Sequence, residues 1–410
     1  MHAQAFGPLL DSEIPFNSAD PERPTVLERA RPEIAPLGIS TGPFLVFPQM
    51  TTMAGFTNNA FGSRTNKRSD AFIELNPTIE ARSRWSRHML NVHAEGALRR
   101  YLRTGLRDED TYDTFAEGRL DFAGQSTLYA QVRAVRSYLE QYSGDVPDDA
   151  TASVPLDRKI AVLRGTYVFN RVSLIANADI RRMDFSDVVS RGGADIDQDF
   201  RDETVWRFSA RGEYRLGPAR AAFVQVTRAQ HQYRKRQPGE IDRDGDEIRA
   251  QAGLAFYPSP VLRLRASAGY MWRRYEDRTI SDLSSPLIDI QADYLVTGLT
   301  TFSLAATRVA RDSFSSRSPG FITTTVRARG DHELLRNLLL HVQGDFLHER
   351  YVAIDRKDDA WRIEAGATYT PYRRIVIEPT AQFVRRSSAG LMAGKQFSEL
   401  RFLLKTTFRP

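Results

Sequence analysis

The chain has 410 residues, 57 of them Lys or Arg against 51 Asp or Glu, which gives a formal net charge of +6. It contains no cysteine, and this excludes a disulfide framework, a cysteine-ligated zinc site and a thiol nucleophile. No window approaches about 18 consecutive apolar residues, so no transmembrane helix is predicted, and a hydrophobic content of 41% is too high for a disordered chain.

The first 36 residues differ in composition from the rest of the chain. Six prolines occur there among acidic and polar residues: Pro8, Pro15, Pro21, Pro24, Pro32 and Pro36. Because proline cannot pair within a central strand and stiffens an extended chain, residues 1–36 are predicted to form a leader that precedes one folded unit over residues 37–410. Residues 1–5 resemble the end of a secretory signal without its charged and apolar regions, so we expect an export signal upstream.

Beyond the leader, apolar and polar residues alternate with a period of two. Between Val205 and Leu216, one phase is apolar and the other is mostly charged. The apolar phase comprises Trp206, Phe208, Ala210, Gly212, Tyr214 and Leu216, and the other comprises Arg207, Ser209, Arg211, Glu213 and Arg215. Successive side chains of a strand point to opposite faces of a sheet, so this pattern predicts a strand with one apolar and one charged face.

The same alternation recurs to the C-terminus and gives 18 candidate strands, with 16 as the alternative count. Their approximate spans are 38–56, 69–85, 87–103, 109–123, 125–142, 156–170, 172–186, 200–217, 219–236, 245–258, 260–277, 286–298, 301–312, 320–333, 338–352, 358–372, 374–388 and 395–409. Within 172–186 the alternation slips near Arg181 and Arg182, which indicates a β-bulge.

The connections alternate between eight short turns and nine longer polar loops, none of them predicted to exceed about 13 residues. An up-and-down barrel in an outer membrane has this asymmetry, with short periplasmic turns and longer extracellular loops. The sequence therefore predicts an all-β fold, a transmembrane antiparallel barrel with both termini and the 1–36 leader on the periplasmic side. Loops of this length do not predict a large plug inside the barrel, whereas the leader is long enough to fold there.

The large aromatic residues give independent support for a membrane barrel. They lie on the apolar phase near strand ends, and the predicted girdle contains Trp85, Trp206, Trp272, Trp361, Tyr214 and Tyr270. Amphipathic rings prefer the headgroup level of a bilayer, and barrels carry aromatic girdles at both interfaces. A soluble all-β repeat protein is the alternative class, but it has no reason to sort its aromatic residues to strand ends.

Several segments after residue 30 contain distinctive turn and strand-start residues. They are Arg31-Pro32-Glu33, Gly42-Pro43-Phe44, Glu333-Leu334-Leu335-Arg336-Asn337 and Asp355-Arg356-Lys357-Asp358-Asp359. In these motifs the chain resembles the type 2 family of outer-membrane β-barrel porins, and the resemblance covers nearly everything after residue 30. It implies a bacterial outer-membrane barrel of a kind that often accompanies exopolysaccharide biosynthesis and export. These motifs are structural and imply no chemistry.

The sequence offers no convincing catalytic or metal site. None of the seven histidines lies in the Gly-x-His-x-Ser-Asn context of an outer-membrane lipase. Asp242, Asp244 and Asp246 alternate as in a calcium loop, but Gly245 and Gly253 are wrongly placed for one, so we interpret them, like Asp195, Asp197 and Asp199, as solvated loop acids. We therefore predict no enzyme activity, no metal and no cofactor.

The inward phase of the predicted barrel is rich in arginine. The lumen-facing basic wall is predicted to contain Arg207, Arg211, Arg215, Arg263, Arg265, Arg273, Arg327 and Arg329. Arginine is always charged and donates several hydrogen bonds, so it can bind carboxylate or phosphate groups in transit. The alternative interpretation is a wall of salt bridges without selectivity, and the two interpretations are compatible.

These patterns together predict a porin-like conduit in the bacterial outer membrane, for a polar or anionic solute or for exopolysaccharide export. The alternative is a structural or adhesive barrel with a plugged lumen, and an outer-membrane enzyme is less favoured. The predicted partners are outer-membrane lipid and lipopolysaccharide, anionic polysaccharide and periplasmic export components. Nucleic acid is not predicted, because the basic residues are spread without a Lys/Arg-rich block.

Overall fold

The computed structural model of the protein describes residues 14, 24–139, 146–217, 220–234, 242–313 and 318–410. Its main elements are 18 long strands. They are β1 (Phe44–Thr57), β2 (Asp70–Ser83), β3 (Met89–Tyr101), β4 (Glu109–Asp121), β5 (Thr127–Tyr138), β6 (Pro155–Phe169), β7 (Val172–Phe185), β8 (Glu203–Gly217), β9 (Arg220–Tyr233), β10 (Gly245–Ser259), β11 (Leu262–Tyr275), β12 (Leu283–Thr297), β13 (Thr300–Asp312), β14 (Gly320–Leu335), β15 (Leu338–Tyr351), β16 (Lys357–Tyr372), β17 (Ile375–Ala389) and β18 (Phe397–Phe408).

The remaining elements are short. Two small strand pairs lie outside the main set, Ile39–Thr41 against the start of β1 and Val188–Val189 against Asp195–Ile196. Three single 3-10 turns occur at Gly105–Arg107, Ala123–Gln125 and Asp199–Arg201. Among the residues given above, no helix is long and apolar enough to cross a membrane.

The long strands form one closed antiparallel barrel. Each pairs with its neighbour in sequence, and β1 pairs with β18 from Met50 opposite Phe408 to Thr57 opposite Arg401. Closure gives every strand two partners, so no edge is left open. The predicted all-β barrel of 18 strands is confirmed, and the alternative count of 16 is wrong.

The predicted strand boundaries agree with the observed ones to within a few residues, with one exception. The first predicted strand, 38–56, is two elements, because Gly42 adopts a φ of +55° and turns the chain back on itself. Ile39–Thr41 then folds as a short hairpin onto the first residues of β1, which starts at Phe44. Glycine suits this position because it has no Cβ to resist a positive φ.

The β-bulge predicted near Arg181 and Arg182 is wrong. The β6–β7 register runs without a shift from Leu156–Phe185 to Phe169–Val172. The slip in the sequence pattern arises because charge lies on both faces, with Arg181 inside the barrel and Arg182 outside, while apolar Met183 is buried inside.

The connections lie at two ends of the barrel with different lengths. Eight connections of two to five residues occupy one end, here called the short-connection end, together with the start of β1 and the end of β18. Nine connections of five to 17 residues occupy the other, the long-connection end. The longest, 139–154 and 186–202, exceed the predicted loop length.

The two faces of the wall have opposite chemistry. On β9, the outward side chains of Val224 and Val226 are 65% and 57% exposed, whereas inward Gln225 is 2% exposed. Arg207 is likewise buried inside the barrel while Phe208 beside it is exposed outside. A protein in water buries its apolar side chains, so an apolar exterior around a polar interior requires a lipid environment.

The depth dependence of the outer face is testable at Val226, which lies near the middle of β9. An Arg on the lipid-facing side near the bilayer midplane costs about 2–4 kcal/mol. We expect Val226→Arg to lose stability of that order in a urea refolding assay. Thr307→Arg is the matched control, because Thr307 is a half-buried inward residue opposite Asp289, which offers a counter-charge. Equal losses in the two variants would contradict the assigned faces.

Candidate functional site

The interior of the barrel is partly filled by the N-terminal leader. Val26 is 1% exposed, and its backbone N–H donates to Thr301 Oγ1 over 3.1 Å at the start of β13. Thr25 and Glu28 close a turn, since each backbone N–H donates to the other side chain at 2.8 and 3.3 Å. Because β13 begins at the short-connection end, the leader lies against the inner wall at that mouth.

Ion pairs fasten this segment to the wall. Arg31 and Arg29 both donate to Glu333 Oε2, at 2.8 and 3.3 Å, and the Glu333 side chain is only 2% exposed. Glu28 accepts from Arg263 at 2.9 Å. Removing one partner of a buried ion pair leaves an uncompensated charge. The leader and the wall therefore stabilise each other through these pairs.

A second leader residue lies deeper in the barrel. Ile14 is 3% exposed, and its carbonyl oxygen accepts from Arg211 Nη2 over 2.7 Å. Arg211 is in the middle of β8, where its guanidinium also donates to Gln225 over 2.9 Å and lies 4.3 Å from the ring centroid of Phe223. The leader therefore contacts the lumen wall at two depths.

At the long-connection end, the two longest loops fold inward. Apolar residues of these loops and of the adjoining inner wall form one buried cluster: Leu139, Val146, Ala150, Val154, Leu156, Met183, Phe185, Val188, Val205 and Ala229. Burying this apolar surface is favourable by roughly 25 cal/mol per Å². The cluster narrows one side of the lumen, which short loops were not expected to do.

The loop 146–154 also reaches across the mouth of the barrel. Asp148 pairs with Arg356 at 2.7 Å and accepts the backbone N–H of Lys395 at 2.7 Å. Arg356 precedes β16, seven strands from β5 by the shorter way around the wall. The prediction that no loop would exceed about 13 residues is therefore wrong, since the connection between β5 and β6 has 16 residues.

Below these loops lies a cavity of about 100 Å³. Seven arginines line it: Arg181, Arg201, Arg207, Arg243, Arg249, Arg273 and Arg311. His231 and Glu203 also line it, with their Nδ1 and Oε2 atoms 3.1 Å apart. Asp179 and Glu247 lie beside the cavity and pair with its arginines.

Some of the arginines around this cavity form ion pairs with buried carboxylates. Arg207 pairs with Asp179 and Arg273 with Glu247, each at 3.0 Å, and both carboxylate side chains are fully buried. Among the described residues, three carboxylates lie with these seven guanidiniums. Inside a protein the effective dielectric is far below that of water, so charged groups at this cavity act strongly on a charged solute nearby.

The predicted basic wall is divided by the structure into several groups. Arg207 and Arg273 line the cavity, whereas Arg211 and Arg263 hold the leader. Arg215 is exposed near the short-connection end. These five arginines therefore lie at different depths along the wall.

The remaining three predicted arginines belong to local pairs on the wall. Arg265 donates to Gln291, and Arg327 pairs with Asp345 at 2.7 Å. Arg329 pairs with Asp331 at 2.8 Å. The ion pairs of Arg327 and Arg329 agree with the alternative interpretation, a salt-bridged wall, whereas the partner of Arg265 is neutral. Whether they influence ion flow stays a prediction.

Sequence reasoning missed the arginines that make the cavity distinctive. Arg201 and Arg243 lie in loops, where strand alternation gives no direction for a side chain. Arg181 was not assigned to the inner face because a bulge was predicted beside it, although strict alternation along the strand places it inside. Arg249 and Arg311 lie on regular strands and were accessible to the same rule.

The predicted girdle residues all have exposed side chains. Exposed fractions are 46% for Trp85, 44% for Trp206, 48% for Trp272, 52% for Trp361, 46% for Tyr214 and 37% for Tyr270. Some pack together, with the Tyr270 and Trp272 rings 4.8 Å apart. Their contact with lipid headgroups stays a prediction.

Two acidic groups lie in the long loops. Asp242, Asp244 and Glu276 have carboxylate oxygens within 4.8 Å of one another, as do Asp187, Asp197 and Asp199. The folded chain thus unites Asp242 and Asp244 with a residue far away in the sequence. Exposed acidic groups are common without an ion, and we continue to interpret these as loop acids.

Lys395 is the most unusual cation of the loops. It is 8% exposed, and its ammonium has no hydrogen-bond partner among the residues described. Burial, together with Arg107, Arg191 and Arg386, lowers the pKa of Lys395 to about 7. A lysine in low dielectric among like charges loses its proton readily. The contact that ties Asp148 to this loop is therefore next to a group that titrates near neutrality.

This shift predicts a pH dependence of stability. Below about pH 7, Lys395 is protonated in the folded state and carries a buried charge. Between about pH 7 and its ordinary pKa of 10.5, Lys395 is protonated in the unfolded state but not in the folded state. The free energy of unfolding therefore rises with pH over this range. We expect the thermal midpoint, followed by heat-modified gel mobility, to rise more between pH 7 and 10 for the parent than for Lys395→Met. Parallel profiles would contradict this assignment.

Comparison of the chain with known proteins identifies the family to which it belongs. The family model "Putative beta-barrel porin 2" matches residues 31–409, and no curated protein matches the chain. Among solved structures, OccAB2 of Acinetobacter baumannii is 10% identical, with 89% of this chain and 98% of that chain covered and a TM-score of 0.50, which agrees with the barrel fold. OccK9 (OpdG) of Pseudomonas aeruginosa is 14% identical over 89% and 98% of the two chains, with a TM-score of 0.48.

The family match covers nearly the whole chain and includes the described part of the leader from residue 31 onward. It confirms the resemblance inferred from the turn and strand-start motifs. The chain belongs to the "Putative beta-barrel porin 2" family and is a porin-like β-barrel of the bacterial outer membrane.

Proposed function

We propose that this protein is a selective conduit for small anionic solutes that carry carboxylate or phosphate groups. The observation that carries the proposal is the concentration of seven arginine side chains around one cavity in the lumen. Guanidinium groups bind carboxylate and phosphate in bidentate geometry. The inserted loops narrow the lumen above this cavity, so that a solute passes close to the arginines.

The polar groups of the lumen support transport rather than catalysis. His231 lies against Glu203 and Arg273, and His341 lies 3.3 Å from Glu364. Over the described ranges, no serine hydroxyl is hydrogen-bonded to a histidine, as a serine nucleophile would require. Anionic polysaccharide, suggested by the family resemblance, carries the same carboxylate chemistry and is one of the anions to test.

A second candidate is a barrel whose lumen is closed at rest. The specific observation that favours it is the leader, which contacts the inner wall near Thr301 and at Arg211. Together with the loop tied by Asp148, it places chain at both ends of the lumen. The two candidates differ in whether the purified protein conducts.

Anion preference is tested by the reversal potential in a salt gradient across a planar bilayer. We expect the parent to favour anions and Arg181→Gln to favour them less, because the variant removes one positive charge from the cavity. Asp179 still has its ion pair with Arg207 in this variant. Arg274→Gln is the matched control, because Arg274 is exposed on the outer face. An unchanged reversal potential in Arg181→Gln would contradict selection at the cavity, and absence of any conductance would favour the closed barrel.

The role of the leader is tested by a reversible cross-link. Val26→Cys with Thr301→Cys joins leader and wall at an observed contact, and the parent has no cysteine to interfere. We expect a disulfide to form on oxidation, seen as a change in gel mobility. When Glu333→Gln is added, which removes the negative charge that pairs with Arg29 and Arg31, we expect conductance to rise on reduction of the disulfide. Equal conductance in both redox states would mean that the leader does not limit flow.

A further inference from the structure

Two cations lie side by side on the outer face of the barrel. Lys159 on β6 and Arg182 on β7 are directly opposite in the strand register, and both are exposed. The next outward row contains Trp206, which is paired with Ile180 on the adjacent strand. Like charges directly opposite across two strands destabilise the pairing. Such an arrangement persists more easily when an anion lies between them.

The nearest carboxylates on this face are already engaged. Asp157 and Asp184 lie one row nearer the long-connection end. Asp157 accepts from Arg136 at 2.6 Å, and Asp184 accepts from Arg234 at 3.0 Å. No side chain of the described residues forms an ion pair or hydrogen bond with Lys159 or Arg182.

An apolar groove opens beside the two cations. It has a volume of about 590 Å³ and runs across β3 to β7, with Lys159 and Arg182 at one margin. Its outward side chains include Val132, Ala161 and Ile180, which also line an adjoining groove of about 530 Å³ bounded by Trp206 and Phe208. The small side chains make a shallow apolar surface on the outer wall against which an acyl chain can pack.

We propose that Lys159 and Arg182 bind the phosphate of an outer-leaflet glycolipid, the lipid A part of lipopolysaccharide, with an acyl chain in the adjoining groove. Charge complementarity decides the occupant, because a neutral lipid would leave two adjacent cations without a counter-charge. Charged side chains on the lipid face are tolerated near the interface but not at the midplane. Clusters of basic residues at membrane surfaces bind anionic headgroups in this way.

The proposal does not depend on conduction, since the site is on the opposite side of the wall from the lumen. It does use the orientation in which the long-connection end faces outside the cell. Arg228 supplies a matched control on the same outer face, because it already pairs with Asp246 at 3.1 Å. A lipid phosphate binds more weakly to a cation whose charge a carboxylate already neutralises.

The experiment counts lipid A molecules retained by the full chain in native mass spectrometry, after detergent extraction and with folding verified by heat-modified gel mobility. We expect the parent to retain lipid A and to lose it when the lipid is dephosphorylated. Lys159→Gln with Arg182→Gln should weaken retention by roughly thirtyfold, whereas Arg228→Gln should retain lipid A like the parent.

Three results would overturn the proposal. One is equal retention of phosphorylated and dephosphorylated lipid by the parent, which needs no variant to fold. The second is unchanged retention in the double variant. The third is an equal loss in Arg228→Gln, which would indicate a general effect of surface charge. If the double variant does not fold, Lys159→Arg with Arg182→Lys keeps both charges and should retain the lipid.

Discussion

The structure depends on the pairing of the first strand with the last. A bilayer offers no water to satisfy backbone N–H and C=O groups, so a sheet can cross it only when every strand has two partners. The β1–β18 pairing closes the sheet after 18 strands. Closure then forces alternate side chains toward lipid and toward the lumen, and it fixes which charges meet inside.

Many charged side chains inside such a barrel are shielded from bulk water, so neighbouring charges of opposite sign must compensate them. Along much of the wall, arginines meet carboxylates in local pairs, such as Arg362 with Asp345 at 2.8 Å and Arg386 with Asp358 at 2.6 Å. The cavity beneath the loops differs from this pattern, because seven guanidiniums line one small space. This concentration of guanidinium groups in the lumen is the basis of the proposed role in solute binding.

Two segments reduce the space left inside. The leader is held by polar contacts, such as those of Glu333 with Arg29 and Arg31, whereas the inserted loops are held mainly by an apolar cluster. Polar contacts can be exchanged for contacts with water or with an anion, while an apolar cluster loses its stabilisation when water enters. The leader and the inserted loops are therefore held inside the barrel mainly by different kinds of contact.

The sequence alone determined the strands, their number and the two faces of the barrel. These properties follow from period-two alternation and from the alternation of short and long connections, which are local, so that Arg207 and Phe208 could be assigned to opposite faces. It also indicated an arginine-rich interior. The failed bulge near Arg181 marks a limit of this rule, because local hydropathy cannot distinguish a slip in phase from charge on both faces.

Only the tertiary structure decided which arginines meet and what fills the lumen. Arg201 and Arg243 come from loops whose side-chain directions no periodicity predicts, and Asp148 finds Arg356 more than 200 positions later in the chain. The same applies to the leader, whose polar and proline-rich composition predicts an extended chain but not the wall it contacts. These contacts depend on the curvature and closure of the whole sheet, which bring together residues distant in sequence. No local sequence pattern predicts them.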